Sequence, residues 1–157
     1  RGDADDLDLA VAVAGDAIFG IPAVRLADAK VGRGDRVWMQ ELAWKSPVMD
    51  GALGACHALD LPFVFESLDH PGFVGTDPPT SLALDMHGAC VRFIIDGDPN
   101  GGQLPEWPRD EPTTRSVMRH DLQPSLVDDR CLPGLRSLAD RVHATPCREP
   151  FREAVSK

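Results

Sequence analysis

The sequence predicts an α/β protein in which helices and strands alternate along the chain. Segments with apolar residues at helical spacing are separated by shorter segments rich in branched and aromatic residues. The resulting order of helix, strand, helix, strand, helix is typical of helices layered on a sheet. Fourteen glycines and fourteen prolines among 157 residues predict many turns and few long elements.

The N-terminal part predicts two helices followed by a strand. Residues 5–14 are rich in Leu, Ala and Val and begin with acidic residues, which a helix N-terminus favours. A second helix is predicted over 22–30, because proline is tolerated in a first turn and glycines follow. Residues 37–44 have the composition of a strand, and their apolar groups on both sides indicate helices on both faces.

The rest of the chain is predicted to continue the same single domain, residues 1–157, with a polar tail over 144–157 that is expected to fray. A strong helix start at Asp77-Pro78-Pro79 precedes apolar residues spaced three and four apart. The predicted elements are a loop over 45–56, a helical turn over 57–60, a helix from about 79 to 96, a last strand over 117–122 and a last helix over 132–142.

Charge and composition exclude several classes of partner. The net charge of -9 argues against nucleic acid and against an anionic membrane surface, which both require a basic footprint. No apolar run is expected to reach the length of a membrane span. No zinc-like spacing and no complete dinucleotide fingerprint occurs, so neither a metal nor a cofactor is expected. A cytoplasmic location is expected, although any signal would lie upstream of Arg1.

The four cysteines lack the spacing of a metal site or a dense disulfide framework. Buried free thiols are the favoured interpretation, and two disulfides remain the alternative. The cysteines are Cys56, Cys90, Cys131 and Cys147.

A histidine at the end of a glycine-containing loop is the most informative feature of the chain. His57 follows Gly54-Ala55-Cys56 and precedes the apolar run Leu61-Pro62-Phe63-Val64-Phe65. Imidazole titrates near neutral pH without special tuning, so a histidine held against a rigid core suits general acid/base catalysis.

This stretch resembles the catalytic-histidine region of type-B carboxylesterases, the family that includes para-nitrobenzyl esterases and cholinesterases. The resemblance covers residues 17–130 and includes Ser46-Pro47 before the loop, and Gly97-Asp98-Pro99-Asn100 and Trp107-Pro108 after it. It implies the C-terminal portion of an α/β-hydrolase fold, with late sheet strands, flanking helices and an incomplete sheet. It also implies that His57 is the triad histidine and that Asp60 is a carboxylate supporting the loop rather than the triad acid.

Two members of the triad are missing from the chain. None of its seven serines lies in a Gly-x-Ser-x-Gly elbow, and the family's acid and oxyanion loop lie upstream of the matching region. The expected function is therefore the C-terminal fragment of a serine carboxylic-ester hydrolase, inactive alone, whose complete enzyme acts on a small ester.

Five positions depart from the pattern of the family. Aromatic residues are common in the family where this chain has Cys90, Gln40, Leu42, Arg109 and His120.

Other interpretations of the same residues are less favoured. Cys56 beside His57 could form a cysteine nucleophile, but adjacent side chains usually point apart. Ser46 is expected to be a turn residue rather than a nucleophile. A non-catalytic interaction module, derived from half of an esterase fold, is the alternative function. Its partner would be the N-terminal part of the same enzyme or a second copy of the chain.

Overall fold

The computed structural model describes residues 6–111 and 115–127, with side chains from Ala10 onward. The chain divides into two compact units. The first contains Arg1–Arg25 and Cys131–Lys157, and the second is Leu26–Arg130. The predicted last helix and the frayed tail lie outside the described residues, and a single domain stays a prediction.

The first two predicted helices join into one helical stretch. Helix α1 (Asp6–Gly15) passes into a π-helical segment (Asp16–Gly20) and then into α2 (Ile21–Val31). Gly15 keeps helical dihedral angles, and Pro22 lies in the first turn of α2, so neither residue interrupts the backbone. Helix α2 begins within one residue of the start predicted near Pro22 and ends at the following glycines as predicted, but it continues the preceding helical segment without a break.

This continuity also corrects the expectation about apolar length. The helical stretch Ala10–Val31 contains an 18-residue window with a mean hydropathy of 1.6 and is long and apolar enough to cross a membrane by length and composition. Core helices and N-terminal signal sequences meet the same criterion, so the stretch by itself assigns no membrane role.

Three short strands form the sheet, in the order β1-β2-β3. Strand β1 (Met39–Leu42) pairs in parallel with β2 (Val117–His120), which pairs antiparallel with β3 (Ser125–Val127). Both predicted strands are present but shorter. β2 is not the last strand, because residues 121–124 turn the chain back into β3, with Asp121 Oδ1 accepting the Leu122 amide at 2.8 Å.

Among the described residues a short 3-10 helix (Val48–Gly51) follows β1, and three α-helices then precede β2. They are α3 (Asp60–Val64), α4 (Pro71–Val74) and α5 (Thr80–Asp96). The prediction of α5 is confirmed, and its C-terminus is the left-handed Gly97 (φ 67°), whose amide donates to the carbonyl of Phe93. The four-residue α4 was not predicted from the sequence.

The core of the second unit lies along α5. Leu82, Ala83 and Met86 pack with Leu59, Phe63 and Val74 near the N-terminal half of the helix. Further along, Ala89 packs with Trp107 and Met118. Partly buried residues of β1 and its flanks join both clusters, so α5 lies across one face of β1 and β2.

The turn after α5 is fixed by hydrogen bonds to the segment that leads into β2. Asn100 Oδ1 accepts the amide of Trp107 at 2.7 Å, and Asn100 Nδ2 donates to the carbonyl of Trp107 at 2.8 Å. Asp98 Oδ1 accepts from the Asn100 amide and side chain, and these hydrogen bonds are the main cause that lowers the pKa of Asp98. These hydrogen bonds join the motif Gly97-Asp98-Pro99-Asn100 to the motif Trp107-Pro108 and so fix the turn between α5 and β2.

Candidate active site

His57 lies on the loop that joins β1 to α3, and its side chain is exposed. The loop backbone is unusual, since Met49, Asp50 and Ala58 have φ of 55°, 55° and 65°. A positive φ is uncommon for residues other than glycine and costs energy that the surrounding structure must supply. Gly54 (φ 56°) adopts this conformation without a Cβ penalty.

Ser46 anchors the start of this loop. Its side chain is 1% exposed, and its Oγ donates to the carbonyl of Phe73 at 2.5 Å and accepts the Val48 amide at 3.1 Å. Its amide donates to the carbonyl of Gly54 at 3.0 Å, which closes the loop on itself. Because the hydroxyl is buried and engaged, Ser46 is confirmed as a turn residue and has no access to a substrate.

Pro47 holds the loop against the end of α4. A Cβ on Gly75 would lie 2.8 Å from Pro47 Cγ, a distance that real Cβ atoms do not show, and Gly75 has φ 75°. Glycine is therefore required at position 75 for both space and backbone conformation.

The residue before His57 points the other way. Cys56 is half-buried and packs against the cluster that contains Leu59 and Phe63. Trp44 contacts the same cluster through Phe63, with ring centroids 5.2 Å apart in an edge-to-face arrangement. The exposed imidazole is thus carried on a backbone whose inner side is packed, and the neighbouring thiol contributes to that packing.

Asp60 opens α3 and is half-buried. The helical turn expected over 57–60 is wrong, because Ala58 is left-handed and the helix begins only at Asp60. Burial raises the pKa of the Cys90 thiol on α5, and the negative charge of Asp60 raises it further, so this carboxylate lies near α5. The supporting role of Asp60 stays a prediction.

Two of the positions that depart from the family pattern contact each other. His120 in β2 is fully buried, and its Nε2 lies 3.1 Å from Oε1 of Gln40 in β1. Since amide oxygen only accepts, Nε2 carries the proton, and Nδ1 has no hydrogen-bond partner among the described residues. Burial lowers the pKa of His120 to about 4, so the imidazole is neutral at pH 7.

A groove of about 340 Å³ opens between β1 and α5. Gln40 and Cys90, two of the positions that depart from the pattern of the family, both line it. The other lining residues are Trp38, Ala89, Phe93, Ile94, Pro99 and Trp107.

The remaining described histidines and cysteines form no further site. His87 Nδ1 bonds the carbonyl of Val64 at 2.8 Å, and His70 is exposed beside Asp69. Across residues 6–111 and 115–127 no three potential ligands cluster around a metal position. Cys56 and Cys90 are free and half-buried, and the other two cysteines and His143 lie outside the described residues.

Comparison with known proteins identifies the family of the chain. The profile described as "Carboxylesterase family" matches residues 3–135. The chain belongs to the carboxylesterase family. A phenmedipham hydrolase of Pseudarthrobacter oxydans is 37% identical over 103 residues, which are 61% of this chain and 20% of that protein. The para-nitrobenzyl esterase of Bacillus subtilis (strain 168) is 31% identical over 120 residues, 73% of this chain and 24% of that enzyme.

Solved structures agree with this assignment. The carboxylesterase EST55 of Geobacillus stearothermophilus at pH 6.2 superposes with a TM-score of 0.72 and 30% identity, covering 88% of this chain and 29% of that one. A para-nitrobenzyl esterase superposes with a TM-score of 0.67 and 29% identity, covering 78% and 25%. The small sheet is therefore part of an α/β-hydrolase fold of type-B carboxylesterases, and the chain spans under a third of the length of these relatives.

Proposed function

We propose that this carboxylesterase-family chain supplies the catalytic-histidine part of a serine carboxylic-ester hydrolase, with His57 as the proton relay. One observation carries the proposal. An exposed imidazole stands on a loop with three strained backbone residues, anchored at its start by Ser46 and packed on its inner side through Cys56. Strained, over-determined backbone of this kind is concentrated at functional sites.

The chemistry follows from the family assignment. In the complete enzyme a serine Oγ attacks the ester carbonyl while His57 accepts the hydroxyl proton, and backbone N–H groups stabilise the oxyanion. The tetrahedral intermediate then collapses, the C–O bond breaks, and His57 donates its proton to the departing alcohol. Water repeats the sequence on the acyl-enzyme, with His57 again as base, and releases the acid and the free serine.

The serine and the orienting acid are proposed to come from the upstream part of the same hydrolase. Among the described strands β1 pairs only with β2, so its outer edge has free N–H and C=O groups. A strand from the upstream part could add in parallel to this edge and complete the sheet. The loop bearing His57 follows directly after β1, so this pairing would bring the missing groups to the same end of the sheet.

Hydrolysis of a p-nitrophenyl ester tests the proposal. The 157-residue chain alone should show no turnover above buffer, because a base without its nucleophile retains little of the mechanism. Robust turnover that is lost in His57→Ala would contradict the inactive-fragment claim and require a nucleophile within this chain. Rapid labelling of Cys56 by iodoacetamide under native conditions would then identify the thiol as that nucleophile.

A further inference from the structure

Helix α5 exposes apolar side chains on the side opposite the sheet. Leu84 is 64%, Val91 36% and Ile95 73% exposed. Together with Gly88 they recur at spacings of four, three and four, which places all four on one face of the helix. These four residues form the outer stripe.

The outer stripe is separate from the core face of the same helix. Leu82, Met86 and Ala89 are buried against the sheet side, about half a turn around the helix. A helix that is apolar on opposite faces is normally covered on both. The outer stripe contains neither His57 nor any residue of β1, so this feature is independent of the proposed ester chemistry.

We propose that the outer stripe is a homodimer interface, on which a second copy of the chain lays its own α5 in antiparallel orientation. The alternation of four and three residues is the spacing at which two helices interdigitate. In the antiparallel pair Leu84 meets the partner's Ile95, and Gly88 meets the partner's Val91.

The charged residues beside the outer stripe favour a second copy of the chain as the partner and an antiparallel orientation of the two helices. Asp85 and Arg92 lie on the same flank of the outer stripe, seven residues apart. Arg92 Nη1 would lie 3.0 Å from a Cβ on Gly88, and Arg92 Nε donates to the carbonyl of Pro99 at 3.0 Å, so the guanidinium is fixed beside the stripe. In an antiparallel pair, equivalent flanks face each other, so Asp85 meets the partner's Arg92 and symmetry repeats the pair.

The length of the outer stripe determines how tightly the proposed dimer is expected to associate. Positions 84 to 95 span about 16 Å of helix. One such helix pair falls in the class of interfaces below about 1,200 Å², which are weak and reversible. Dimer formation is therefore expected to depend on concentration.

Sedimentation velocity of the full chain, over about two orders of magnitude in concentration around 10 µM, tests the interface. A monomer–dimer equilibrium is expected, and Leu84→Glu should lower the association constant at least about tenfold. Leu122→Glu is the matched control, since Leu122 is 63% exposed and lies outside α5. A chain that stays monomeric throughout, or a dimer weakened equally by both substitutions or only by the control, would overturn the proposal.

Disulfide trapping tests the orientation without depending on a charged substitution. Leu84→Cys and Ile95→Cys chains are mixed and oxidised, and peptide mapping separates their cross-links from those of the native cysteines. The proposal expects the bond between positions 84 and 95 to dominate. Predominant bonds between two copies of position 95, or none involving α5, would contradict the antiparallel pair.

Discussion

Gln40 and His120 illustrate what single residues contribute to this fold. Both stood out in the sequence as departures from the aromatic pattern of the family, but nothing in the sequence joins positions 80 apart. Only the register of β1 and β2, which sets Leu42 opposite His120, brings Gln40 Oε1 to the imidazole. The replacement of aromatic side chains by a hydrogen-bonded polar pair is therefore visible only in three dimensions.

The buried imidazole makes the stability of the chain depend on pH. Its pKa falls from 6.5 to about 4 on folding, so the unfolded chain binds the proton first as the pH decreases. The stability contributed by neutral His120 is present above about pH 6.5 and is lost toward pH 4. Urea unfolding should show about 2 kcal/mol less stability at pH 5 than at pH 7 from this group alone.

The matched variants His120→Leu and His70→Leu check this assignment. His120→Leu should remove that part of the pH dependence, whereas His70→Leu should retain it, because the His70 side chain is 84% exposed. An unchanged pH dependence in His120→Leu would show that another group is responsible.

Among the elements, those with local signals were predicted from the sequence and those set by tertiary contacts were not. The spacing of Leu82 and Met86 and the glycine at 97 define α5 within a few residues. In contrast, the π-helical segment and α4 have no distinctive composition. β3 has three residues and is defined by its pairing with β2 rather than by propensity.

The loop that carries His57 depends on the glycine after α4. Gly75→Ala should cost about 1–3 kcal/mol for a backbone conformation (φ 75°, ψ −168°) that is essentially restricted to glycine, and a further amount for the clash with Pro47. Gly34→Ala is the control, because Gly34 has φ 83° but nothing within 4 Å of its Cβ position. Chemical denaturation should show the larger loss for Gly75→Ala. Equal losses would mean that the contact with Pro47 contributes nothing.

A second prediction at the scale of the elements concerns the groove between β1 and α5. Cys90→Trp places a large aromatic side chain in the lining of the groove and should fill part of the 340 Å³. Burial of additional indole surface is expected to raise the free energy of unfolding by about 1 kcal/mol. Cys90→Ala, which removes the thiol without filling the groove, should not stabilise the chain. A destabilised Cys90→Trp would indicate that the groove does not accept the ring.

At the scale of the whole molecule, the chain spans only part of the length of its relatives. Its matching segments cover 20% of the phenmedipham hydrolase and 29% of EST55, and β1 has an unpaired outer edge among the described strands. The sequence indicated the family, because the residues around His57 are contiguous, and the role of His57 as the proton relay stays a prediction. It did not reveal the anchoring of the loop, since Phe73 and Gly75 reach Ser46 and Pro47 only through the packing of α4.

The most direct test of the central claim restores the missing polypeptide. The chain is expressed together with the upstream part of its parent hydrolase, and turnover of a p-nitrophenyl ester is measured for the parent sequence, His57→Ala and His70→Ala. We expect activity that is absent from either part alone, reduced by at least about a thousandfold in His57→Ala and unchanged in His70→Ala. Full activity of the assembled His57→Ala enzyme would contradict the assignment of His57 as the proton relay.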